Sequence, residues 1–359
     1  MLTCPNCGTT VEADDRFCGA CGAVLLSQTV SPSPPSQYTP PPPPPPMSHI
    51  PPPPPPSGDV SVLGNVIGAF VTLIAPRRRL VEVSGAAYER LPPPRVAKSW
   101  KLIIIAVVLF TGFYFLQFGE QTVSIIDSNM MYFIATYAVA FLFLLWVYRS
   151  DKYEREPFRF IIALFAWGVF SGILAAPINT VLGPAFESML GNGALVAPFV
   201  EEPLKALGLY WLVRHRVWGK EFNSPLDGVV YGFAAGLGFF AMENFHYFLN
   251  FDASTLIFRS LLCWGHGVWV ATTGLWLAIA KVRRGRVVIW DVIPGLIVAM
   301  TLHFLWNGWT GFLGAEMGFI ALIGQGIHQL WYSRKMIKEA LRDDVLLGYG
   351  AGMAPIEKY

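Results

Sequence analysis

The sequence predicts an all-α polytopic membrane protein of about eight transmembrane helices, preceded by a small zinc ribbon and a proline-rich linker. Three observations lead there. Of 359 residues, 53% are hydrophobic and only 14% charged, against roughly 25% charged in soluble domains. Four of the five cysteines fall within the first 21 residues. From Lys101 onward, apolar segments of spanning length recur, and the loops between them alternate in basic content. The net charge of +2 is too small to argue for nucleic acid as a partner. The first twenty residues are polar and carry four charges, so no cleavable signal peptide opens the chain and the first long apolar segment directs insertion.

Residues 1–26 carry Cys4-Pro-Asn-Cys7-Gly and Cys18-Gly-Ala-Cys21-Gly, ten residues apart. Two such knuckles supply four thiolates that close tetrahedrally on zinc, leaving no open position for catalysis. A segment this short has no core of its own, so the metal must fold it. Residues 27–59 form a linker with unbroken proline runs, Pro40 to Pro46 and Pro51 to Pro56. Its proline tract, residues 31–58, in polyproline II at roughly 3.1 Å per residue, is a stiff spacer of about 80 Å. Residues 60–100 are juxtamembrane. Val62, Leu63, Val66, Ile67, Phe70, Leu73 and Ile74 recur at helical spacing and Arg77, Arg78 and Arg79 follow. That pattern suits a helix on an anionic membrane surface and equally a helix docked on the bundle.

Residues 101–333 hold the predicted spans, near 102–118, 130–148, 159–182, 194–213, 227–249, 255–280, 287–312 and 315–332. Lysine and arginine cluster before the first span and after the second, fourth, sixth and eighth, and are absent from 119–129, 183–193, 250–254 and 313–314. The positive-inside rule then places both termini, and the tail 334–359, in the cytoplasm. There the ribbon thiolates meet a reducing environment.

Ionisable groups inside spans are costly and point to function. Glu201, Glu202 and Lys205 lie in the fourth span, Glu243 and Asn244 in the fifth, His266 in the sixth, His303 and Asn307 in the seventh. At about 1.5 Å of rise per residue, Glu201, Glu243, His266 and His303 all lie roughly 9 to 17 Å below the outer surface. Groups at one level can converge. Two histidines and a carboxylate make a zinc set that leaves a place for water, and a second carboxylate can take that water's proton. Glu243, His266 and His303 are the ligand candidates, and Glu201 is the general base. Glu202 is the alternative base or a supporting group, since neighbouring helix positions point about 100° apart. Asn307 is placed to hydrogen-bond an oxyanion, and Lys205 to balance the carboxylates. A glycine stripe at Gly228, Gly232 and Gly236, with Gly238 beside it, reads as packing. Asp227 reads as an N-cap.

Glu201-Glu202-x-x-Lys205, Asp227-Gly-Val-Val-Tyr-Gly through Phe239-x-x-x-Glu243-Asn244, Trp-Gly-His266-Gly and His303-Phe-Leu-Trp-Asn307 together resemble the PrsW family of intramembrane metalloproteases, over about residues 130–332. The resemblance implies peptide-bond hydrolysis in or near the bilayer, with Glu201 or Glu202 activating water. It also implies a membrane-anchored protein substrate, such as an anti-sigma factor-like regulator, and a prokaryotic cytoplasmic membrane. In the related CAAX-endopeptidase branch the place of Glu243 holds histidine. A proton- or cation-coupled transporter using the same glutamates and histidines is the rival reading, against which no inverted repeat is visible.

Overall fold

The computed structural model describes residues 2–4, 6–11, 18, 20, 21, 61–77, 128–250, 259 and 264–347. The predicted first span, the proline tract, Cys263 and the end of the tail lie outside them. The chain divides into two compact units, Met1–Pro53 and Pro54–Tyr359.

In the first unit, β1 (Leu2–Thr3) pairs antiparallel with β2 (Thr10–Val11), Leu2 opposite Val11. The turn between them closes when the Cys4 amide donates to the Thr9 carbonyl (2.8 Å) and the Gly8 amide to the Cys4 carbonyl (2.9 Å). Gly8 sits at φ +75°, where a side chain would be strained.

The second unit contains, among the described residues, eight helices: α1 (Val62–Val71), α2 (Ser128–Ser150), α3 (Phe158–Leu190), α4 (Ala197–Arg214), α5 (Pro225–Asn250), α6 (Gly265–Arg284), α7 (Ile293–Leu313) and α8 (Ala315–Leu346). Three stretches are long and apolar enough to cross a membrane by length and composition, Phe158–Leu190, Pro225–Tyr247 and Ile293–Leu313. The predicted break at 183–193 is not a simple loop. Helix α3 runs on through Pro177 and Pro184 to Gly191, whose φ of +69° ends it.

Helix α5 is the axis of the bundle, packed against α2, α3, α4, α6 and α8. Its start corrects the reading of Asp227: the N-cap is Ser224, whose Oγ accepts from the Leu226 amide (3.1 Å) and donates to Asp227 Oδ1 (2.6 Å). Asp227 closes the turn from the third helical position, accepting from the Ser224 amide (2.7 Å). The glycine stripe brings backbones together. A Cβ on Gly228 would stand 2.2 Å from the Gly274 carbonyl oxygen, one on Gly232 2.4 Å from the Ala271 Cα, and one on Gly236 2.2 Å from the His266 carbonyl oxygen. Gly238 points elsewhere, 2.0 Å from the Phe165 carbonyl oxygen of α3 by the same construction.

Helix α1 is docked on the bundle. It packs against α7, and the turn that follows it reaches α8, where His328 Nε2 donates to the Leu73 carbonyl (2.9 Å) and Lys335 Nζ to that of Thr72 (2.5 Å). Arg77 ion-pairs with Asp343. Leu63 and Ile67 of α1, and Ile74 in the turn after it, stay exposed.

A group of buried acids gathers where the α2–α3 connection meets the start of α5 and the end of α8. Burial, with the charge of Asp227 beside it, raises the Asp151 carboxyl from 3.8 to about 7 and pushes Glu156 up to about 12. Burial also holds Asp344 well above the usual carboxylate range.

Two outcomes follow from these contacts. Gly228→Ala should destabilise the detergent-solubilised protein by about 1–3 kcal/mol through overpacking, while Gly324→Ala, which meets open space, should not; thermal unfolding of the two compares them. Because the folded-state value of Asp151 is raised, its contribution to stability is complete below pH 3.8 and lost as pH rises through about 7. Asp151→Asn should therefore raise the unfolding midpoint at pH 8 and leave it unchanged near pH 4.

Candidate active site

Helices α4, α6 and α7 each bring polar groups to one buried place. Glu201, Glu202, His266 and His303 each offer a ligand atom there, all four atoms lie within 4.8 Å of one another, and all four residues are buried. On α4, Lys205 stands one turn beyond the two glutamates. Its ammonium lies 2.6 Å from Glu202 Oε1, 3.5 Å from Glu201 Oε2 and 3.0 Å from His266 Nδ1. It also sits 3.9 Å above the ring of Phe239. Because Lys205 is i+4 to one glutamate and i+3 to the other, the site falls between their directions and both carboxylates reach it.

His303 puts Nδ1 2.8 Å from Glu202 Oε1 and Nε2 3.9 Å from Glu201 Oε2. Trp269 stacks on its ring at 4.4 Å, and the two histidine rings stand 5.0 Å apart and nearly perpendicular. Asn179, on α3 between Pro177 and Pro184, donates from Nδ2 to Glu201 Oε1 (2.9 Å). Glu201 Oε2 and Glu202 Oε2 are buried without a hydrogen-bond partner among the described residues.

Two of the predicted site residues are not brought into this group. Glu243 lies outside the four-donor group, because Arg259 Nη2 holds its Oε2 at 2.6 Å and His266 Nε2 stands 2.9 Å from the same oxygen. Asn307 turns away from the carboxylates: its Nδ2 donates to the Ala194 carbonyl (2.9 Å) ahead of α4. Asn244 is buried and accepts from Arg259 Nε (3.0 Å). Asn179 and Arg259 are absent from the predicted site. Each is a polar residue inside a predicted span, which is the signal that marks them.

In the ribbon, Cys4, Cys7, Cys18 and Cys21 form a second four-donor group. Cys4 and Cys21 sulfurs are 3.7 Å apart, and those of Cys7 and Cys18 3.6 Å. The Thr9 hydroxyl and amide pull the Cys7 thiol from 9.0 down to about 6.

Residues 156–332 match the PrsW family intramembrane metalloprotease model, and residues 1–25 a zinc-ribbon domain. A Protease PrsW of Halalkalibacterium halodurans is 30% identical over 180 residues, 48% of this chain and 80% of the relative. The chain belongs to the PrsW family. The Protease PrsW of Geobacillus kaustophilus is 28% identical over 54% of this chain and 85% of its own length, and that of Bacillus subtilis 27% over 44% and 72%. No solved structure matches. As a PrsW family member the chain is a membrane protein and an intramembrane protease, a hydrolase, carrying an appended zinc-ribbon domain. The transporter reading finds no support.

The Cys7 value gives the ribbon a pH limit. A depressed thiol is the thiolate ligand above about pH 6 and is protonated below it. Below about pH 6 a proton competes with the metal for Cys7, so the affinity of the metal-free ribbon for added cobalt should fall more steeply with pH there than above it. In the cobalt-substituted chain, the thiolate charge-transfer absorption reads that site alone.

Proposed function

We propose that this chain is a zinc-dependent protease that cleaves membrane-anchored proteins at the buried group on α4, α6 and α7. The observation that supports it most is that group itself: two imidazoles and two carboxylates within 4.8 Å, with a buried oxygen of each carboxylate lacking a hydrogen-bond partner among the described residues. Nitrogen and oxygen donors of this kind suit zinc. His266, His303 and Glu202 would hold it. Bound there, zinc lowers the pKa of a coordinated water toward about 7 and polarises a carbonyl.

Glu201 is the general base. Glu202 Oε1 already accepts from Lys205 and faces His303 Nδ1, which ties that carboxylate down. Glu201 accepts a hydrogen bond at Oε1, from Asn179, while its Oε2 has no hydrogen bond among the described residues and only longer ion pairs, 3.5 Å to Lys205 and 3.9 Å to His303. From Oε2 it takes a proton from the attacking water and returns it to the leaving amine. Lys205 keeps the two carboxylates from repelling one another where water is scarce. Apolar walls from Phe239 and Trp269 exclude bulk water from the site.

The chain sits in the cytoplasmic membrane as a multi-pass protein with both termini inside. Helices α2, α4 and α6 end in basic turns and α3, α5 and α7 do not, which supports that orientation. An anti-sigma factor-like regulator suits a site that leans to the outer leaflet.

The test joins metal content to cleavage. The purified full chain should carry about two zinc ions, and His303→Ala about one. Glu201→Gln and Glu202→Gln should each cut processing of membrane-anchored candidates at least about 100-fold. One zinc ion in the parent, or undiminished processing in both glutamine variants, overturns the reading.

A further inference from the structure

Arg259 precedes α6, inside the predicted sixth span, where an arginine is costly unless it is paired. Its side chain is only 14% exposed. The guanidinium grips one face of α5: Nη2 donates to Glu243 Oε2 (2.6 Å), Nε to Asn244 Oδ1 (3.0 Å), and its Cζ lies 3.7 Å from the centre of the Tyr247 ring. The same Glu243 oxygen is 2.9 Å from His266 Nε2. The other nitrogen of that ring, Nδ1, is 3.0 Å from Lys205 Nζ, the same ammonium that reaches Glu201 and Glu202 of the four-donor group. His266 therefore stands between two sets of partners, Glu243 and Arg259 behind it, the metal-binding candidates in front.

We propose that Arg259 is a positioning residue: it fixes Glu243 as the acceptor for His266 Nε2–H, so that His266 turns a lone pair on Nδ1 toward the metal. This rests on the metal-site reading above. A neutral imidazole carries one proton, and an anionic acceptor at Nε2 assigns the proton to that nitrogen. Glu243 serves only while it stays charged and in place. Arg259 supplies the countercharge, and its planar fork and ring stacking fix the direction. The same grip keeps Glu243 out of the ligand set, leaving a position for water. Ligating histidines usually donate their second N–H to a carboxylate, and loss of that partner costs about 10–100-fold in metal affinity.

The bland alternative is that Arg259 merely staples α5 to the start of α6. The full chain, purified in detergent and titrated with zinc against a competing chelator, separates the two, with the cobalt d–d spectrum of the intramembrane site as a second readout. Arg259→Gln should weaken the second zinc ion about 10–100-fold, alter that spectrum and leave the ribbon's ion untouched. Arg259→Lys should restore part of the loss. Arg259→Gln combined with Glu243→Gln should bind no more weakly than Glu243→Gln alone. Should glutamine at 259 impair folding, Glu243→Gln reads the same link and should show the same weakening. A parent with two ions and variants that hold both as tightly, or losses that multiply in the double variant, overturns this inference alone. A parent that binds only the ribbon's ion overturns the metal-site reading, and this inference with it.

Discussion

An ammonium with no exposed surface governs the membrane unit. Lys205 lies within 3.5 Å of Glu201, Glu202 and His266, in surroundings where the attraction between opposite charges is far stronger than in water. Two adjacent carboxylates on one helix turn would repel each other there and lose their charge. One shared cation offsets that repulsion, and most strongly where neighbouring helices seal it from solvent. Hence α4 must lie against α6 and α7, and hence the aromatic rings of Phe239 and Trp269 stand around the polar group. The packing and the chemistry answer to the same charge.

Burial of that charge in turn depends on close approach of helices, which explains the small residues on α5 and α6. Backbone at Gly228 meets backbone at Gly274, so that α6 can carry His266 inward to α4. A larger residue would push the histidine away from the glutamates it serves. The site is set by glycine as much as by glutamate.

Much of this was legible in the sequence, for reasons that can be named. Charges in apolar runs are conspicuous, and the i,i+4 spacing of Glu201 and Lys205 already put those two on one side of a helix. The two CxxC pairs announced their own chemistry. What escaped were relations between helices. Asn179 and Glu201 are 22 residues apart and meet only because α3 doubles back against α4. Arg259 and Glu243 are 16 apart and meet only where α5 gives way to α6. Glu243 looked like a ligand because its depth was right; what depth did not show was its pairing with Arg259 and His266. Asn307 shares a helix face with His303, yet a backbone carbonyl at Ala194 competes for its amide and wins. Depth and periodicity order residues along each helix, but they do not rank competing partners across helices.

Two helices whose backbones touch, with no side chain between them, move as a single mechanical part. That is the condition of α5 and α6 along the stripe from Gly228 to Gly236. Bending is most restricted there. Compliance belongs instead to α3, whose Pro177 and Pro184 each leave a carbonyl one turn back without its helical bond. Asn179, seated between those prolines and hydrogen-bonded to Glu201, would pass any such bend straight to that carboxylate.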